Sequence, residues 1–148
     1  MPNVLAALAI GLIMLMCSML SYGIATTLIV QLGVRLIDTG YAGVSFWKNT
    51  SIMTFALLIT AAAHLAQIAL WAILFLLVGE ISTFDRALYL SAQNYTALGY
   101  GDIVLSAHWR LLGPLEAING LLLFGLSTAV MFAVLSRLVA NRLQGNAP

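Results

Sequence analysis

The sequence predicts an all-α membrane protein, with three transmembrane helices and a re-entrant helix and loop between the second and third. Hydrophobic residues make up 62% of its 148 positions and charged residues 7%, a balance foreign to soluble domains of this length. Three apolar runs, Val4–Val34, Ile52–Gly79 and Leu111–Leu135, each reach the roughly 20 residues that cross the hydrocarbon. Between the last two lies Glu80 to Arg110, too short and polar to cross, which turns back through a glycine-rich stretch.

The first run has no positive charge ahead of it and outlasts the h-region of a signal peptide, so it is expected to stay in the mature chain. At about 1.5 Å per residue it would measure roughly 45 Å as one helix. That exceeds the hydrocarbon thickness, so the run must tilt, kink near Gly23, or leave the membrane in a turn around Gln31–Arg35. On the second run Thr60, His64, Gln67 and Trp71 share one face. Interhelical hydrogen bonds of about 0.6 kcal/mol apiece account for such a face; His64 could also take up a proton near neutral pH. His108 beside Trp109 reads as an interfacial anchor pair. Glu116, early in the third run, is expected to pair with Arg110 or to face an outer vestibule.

Within Glu80 to Arg110, Ser82 and Thr83 offer N-caps, Asp85 suits the first turn, and Arg86–Tyr95 can form about three turns of helix. Lipid forbids the return that follows unless protein or water surrounds it. The return reads Thr96-Ala97-Leu98-Gly99-Tyr100-Gly101-Asp102. Successive carbonyls can face one way only if alternate residues take positive φ, which Gly99 and Gly101 permit.

This stretch resembles the Thr-Val-Gly-Tyr-Gly signature of the potassium channel family, whose filters replace the hydration shell of the ion with carbonyl oxygens. The resemblance covers roughly residues 84–129, taking in Arg86-Ala87-Leu88 and Ser91 of a pore helix and Gly120, Phe124-Gly125 and Thr128-Ala129 of an inner helix. It implies a selectivity filter of Thr96, Ala97, Leu98, Gly99, Tyr100, Gly101 and Asp102. Potassium would be held by the backbone carbonyls of Ala97, Leu98, Gly99 and Tyr100. Gln93 and Tyr89 would support the filter, while Gly120, Phe124, Thr128 and Phe132 would form the hinge and cavity of the inner helix. Leu98 and Tyr100 would pack behind the filter. One filter per chain implies a homotetramer, with potassium as the permeant ion and no cofactor. Ala97 replaces the family's threonine and Gln93 its common pore-helix glutamate; the Gln93 amide can donate directly to an ionised Asp102.

The expected organisation is an additional first span and cytoplasmic loop over 1–50, a pore domain over 51–143 and a short tail over 144–148. The first span lacks the spaced arginines of a voltage sensor. Arg35 with Lys48, and Arg137 with Arg142, predict a cell-membrane (inner-membrane) protein with its amino terminus outside and its carboxyl terminus cytoplasmic. A net charge of +1 offers nucleic acid no basic field. The lone Cys17 has no partner for a disulfide within the chain. Two other readings exist. One is a weakly selective or non-conducting cation channel. The other is an intramembrane aspartyl protease of the Gly-x-Gly-Asp type, which needs two aspartates within spans. Asp38, Asp85 and Asp102 all fall outside the apolar runs, and no Pro-Ala-Leu element occurs. No enzyme activity is expected.

Overall fold

The computed structural model describes residues 2–38 and 45–145. The tail's residues 146–148 and the loop's residues 39–44 lie outside the described residues, as do the side chains of Asp38 and Arg142. Among the described residues four helices follow one another: α1 Pro2–Asp38, α2 Phe46–Leu77, α3 Phe84–Tyr95 and α4 Leu112–Gly145. Three of them, over Val4–Arg35, Phe46–Leu77 and Leu112–Ala140, are long and apolar enough to cross a membrane, and the chain is a multi-pass membrane protein.

Helix α1 continues unbroken past Arg35, which removes the turn around Gln31–Arg35 from the three alternatives for this run. Hydrogen bonding explains why: a helix satisfies its own backbone wherever it leaves the hydrocarbon, whereas a turn would expose backbone groups. For the same reason α2 begins six residues before the apolar run, placing Lys48 in its first turn rather than in a loop, and α4 runs ten residues past Leu135. Helix α2 stops at a Schellman motif. Gly79 takes φ +75°, the Glu80 N–H bonds to the Phe75 carbonyl at 3.1 Å and the Gly79 N–H to that of Leu76 at 3.0 Å.

Thr83, extended at φ −130° and ψ 144°, precedes α3, and its hydroxyl makes no cap bond. That hydroxyl instead bonds Asp85, holding the exposed carboxyl below the usual carboxylate range. Ala87, Leu90, Ser91 and Tyr95 are buried along α3 at helical spacing. Pro114 falls in the first turn of α4, where its missing N–H leaves no bond unmade.

The contacts divide the chain into two compact units, Met1–Ser21 with His64–Phe124 and Tyr22–Ala63 with Gly125–Pro148. In the first, Trp71, Ala72, Leu74 and Phe75 of α2 form a core with Ala87 and Leu90 of α3 and Leu112 of α4. In the second, Ile52, Val134 and Leu138 form a smaller cluster.

Candidate functional site

The loop after α3 takes positive φ at every second residue: 55° at Ala97, 56° at Gly99 and 76° at Gly101. This alternation is the backbone pattern that can turn successive carbonyls to one side. A Cβ at Gly99 or Gly101 would meet nothing within 4 Å, so within one chain conformation, not space, calls for glycine there. Ala97 adopts the left-handed region despite its Cβ, at a cost of about 1–2 kcal/mol. Hydrogen bonds hold it: the Ala97 N–H donates to Asn94 O at 2.9 Å, and the next N–H, of Leu98, to Gln93 O at 2.8 Å.

Gln93 ties the loop together. Its carbonyl accepts from Leu98 and, at 3.4 Å, from the Gly99 N–H. The side-chain Oε1 accepts from the Tyr100 N–H at 3.1 Å, and Nε2 donates to Asp102 Oδ1 at 3.0 Å. One buried glutamine on α3 thereby reaches four of the five residues from Leu98 to Asp102. Tyr89 also bonds to Asp102. The Gln93 amide first, and the Tyr89 hydroxyl second, hold the Asp102 carboxyl below its ordinary range, and the bond to Asp102 raises the Tyr89 hydroxyl.

Two contacts position α3. Ser91 Oγ lies 2.5 Å from Glu116 Oε1 and 2.7 Å from the Ile68 carbonyl. Glu116 is wholly buried there and faces neither Arg110 nor a vestibule, contrary to expectation; in a low-dielectric core a carboxyl is held by the nearest hydroxyl. At the end of α3, Tyr95 OH lies 2.8 Å from His64 Nδ1, and Phe124 packs against both rings at centroid distances of 4.5 Å (His64) and 5.5 Å (Tyr95). The Tyr95 carbonyl presses on Gly120, where any Cβ would collide with it. Gly120 is thus buried and needed for close packing, while Thr128 and Phe132, further along α4, are exposed.

Of the face on α2, His64 and Gln67 reach other helices, Gln67 donating to Ser18 O and Ser21 Oγ at 3.3 and 3.0 Å. Thr60 bonds back to Ala56 O. Beyond the loop, Glu80 accepts from the N–H and hydroxyl of Ser106, both at 2.7 Å. Sequence reasoning missed this clamp and the role of Tyr95. The only signals were a carboxylate just past a helix end and an aromatic at the last turn of α3.

Leu98 and Tyr100 do not pack behind the loop in the single chain; they are 55% and 68% exposed. Beside them lies a pocket of about 370 Å³ whose walls include Ala97, Gly99, Gly101, Val104 and Ala117.

A multi-pass helical protein that folds a short helix and a braced, glycine-bearing loop between two spans has the build of a pore-loop membrane protein. Residues 54–137, more than half of the chain, match the family model described as an ion channel, and the chain belongs to that pore-loop ion channel family. No curated protein and no solved structure matches it. Such proteins move ions rather than transform a substrate, which speaks against the protease reading.

Proposed function

We propose that four copies of this chain close a potassium-selective pore, each giving one strand, residues 96–102, to a ring of carbonyl oxygens. The observation that carries this reading is the alternation of positive φ at Ala97, Gly99 and Gly101. A dehydrated potassium ion needs about eight oxygens, and carbonyls presented in successive rings supply them. In this reading the carbonyls of Ala97, Leu98, Gly99 and Tyr100 are the ion ligands, Gln93 and Tyr89 are their supports and α3 is the pore helix. The negative end of its dipole favours a cation near the loop. Thr128 and Phe132 line the cavity, and Phe132 forms an apolar ring able to close by dewetting.

Exposure supports the fourfold assembly. Leu98, Tyr100 and Val104, at 55%, 68% and 76%, leave an apolar surface at the loop that neighbouring copies would cover. The amino terminus lies outside the cell membrane and the carboxyl terminus in the cytoplasm, because both basic pairs then fall inside. Reconstitution into liposomes tests the function. Potassium flux is expected to exceed sodium flux, from a species of four chains by mass. Equal fluxes would establish the weakly selective alternative instead, and a stable conducting monomer would overturn the assembly.

A further inference from the structure

We propose that the second unit carries a binding site for an anionic phospholipid, walled by the carboxyl-terminal parts of α1 and α4. A pocket of about 190 Å³ opens there, lined by Val30, Gly33, Val34, Ala133, Val134 and Arg137. Five of the six residues are apolar and the sixth is a cation. Enclosing a whole small molecule takes roughly 300–1,000 Å³, so the volume fits part of an acyl chain rather than a compact ligand.

Gly33 opens the pocket. A Cβ there would meet nothing within 4 Å, so no close approach within the chain accounts for a glycine that weakens the helix by up to about 1 kcal/mol. The gap it leaves suits something flexible and apolar. Depth and charge identify the occupant further. Val30–Val34 and Arg137 stand in the last turns of the spans Val4–Arg35 and Leu112–Ala140, where acyl chains meet headgroups. The unit's sequence holds Arg35, Lys48, Arg137 and Arg142 against one acidic residue, Asp38. Arg35, Lys48 and Arg137 are exposed. An acyl chain along the valine wall with its phosphate on the Arg137 guanidinium satisfies both features, because guanidinium binds phosphate in a bidentate fork. The α1 wall lies outside residues 54–137 that match the channel family, which gives this additional helix a task of its own.

The test measures binding to the purified full-length protein by native mass spectrometry, with dioleoylphosphatidylglycerol, dioleoylphosphatidylcholine and inorganic phosphate as separate probes. Phosphatidylglycerol should bind more tightly than phosphatidylcholine, and phosphate alone should neither bind nor compete. Arg137→Gln should weaken phosphatidylglycerol by about fivefold, the worth of one basic residue at an anionic surface, and phosphatidylcholine less, because its choline cation already offsets the phosphate charge. Gly33→Leu, which fills the pocket without straining the helix, should weaken both lipids. Phosphatidylglycerol binding equal in all three forms, or displaced by millimolar phosphate, would overturn the site. So would a disulfide between copies in Gly33→Cys with Cys17→Ser, because a neighbouring chain would then cover the face. Binding is read without flux, so a failure of potassium conduction leaves this result standing.

Discussion

The two units differ in the balance of their polar contacts. In the unit that holds the loop, they reach across helices: Ser91 to Glu116, His64 to Tyr95, Gln67 to Ser18 and Ser21, and Glu80 to Ser106. In the other unit Thr26, Thr27, Thr50, Ser51 and Thr60 bond back to carbonyls of their own helices, and Tyr22 with Ser127 provides a cross-link. Hydrogen bonds between elements need one register, whereas bonds within a helix and apolar contacts tolerate sliding. The loop unit is therefore built to hold a geometry, and the other unit can shift at lower cost.

Two glycines of α4 should expose this contrast most sharply. Gly120→Ala sets a methyl against the Tyr95 carbonyl, a backbone atom with little room to yield. Overpacking of this kind costs about 1–3 kcal/mol or more, and the displaced end of α3 carries the loop with it. Thermal unfolding should fall and potassium flux should be lost. Gly125→Ala meets nothing within 4 Å and should leave stability unchanged or raise it by up to about 1 kcal/mol. Equal losses in the two variants would break the distinction between the units.

A smaller effect is expected at Gln93. Gln93→Leu removes the bond to the Tyr100 N–H, an ordinary bond of about 1 kcal/mol, together with the one to Asp102. Potassium-over-sodium preference should drop about fivefold or more. The native Asp102 carboxyl is depressed, so the stability it contributes is fully present above the ordinary value of 3.8 and is lost as the pH falls through its lower folded value. Flux should thus stay level from neutral pH down to about pH 4. Gln93→Glu sets two carboxylates together and raises one of them, which should move the fall in flux to higher pH. A flat profile in that variant would remove Asp102 from the brace.

The least effect is expected at the Glu80–Ser106 clamp, which is exposed to solvent. Ser106→Ala and Glu80→Gln should each destabilise by roughly 0.5–1 kcal/mol. A double-mutant cycle should give less than the sum of the two; strict additivity would show that the clamp contributes nothing.

Local chemistry made the spans, the short helix and the glycine-bearing return legible, because apolar length, capping residues and the freedom of glycine act over a few neighbours. The left-handed Ala97 was not legible, since alanine has no preference for that region and only the bonds that the Ala97 and Leu98 N–H groups donate to the Asn94 and Gln93 carbonyls hold it there. The apolar runs mark the spans but not the helix ends, because backbone hydrogen bonding carries α2 and α4 beyond them.

The sequence by itself determined that the chain is a multi-pass membrane protein with three runs long and apolar enough to cross a bilayer and a short helix with a glycine-bearing loop between the second and third, because transfer of apolar side chains from water depends on each residue singly. Only the tertiary structure decided that Glu116 would be buried on Ser91, 25 residues away, and that Tyr95 would meet His64 at a separation of 31. It also showed that Gly120 makes room for a carbonyl. Spans that are apolar on every side carry no periodic signal of which face meets which. Their register follows from the joint fit of several distant polar groups and one close backbone contact, and that fit exists only once the helices are packed.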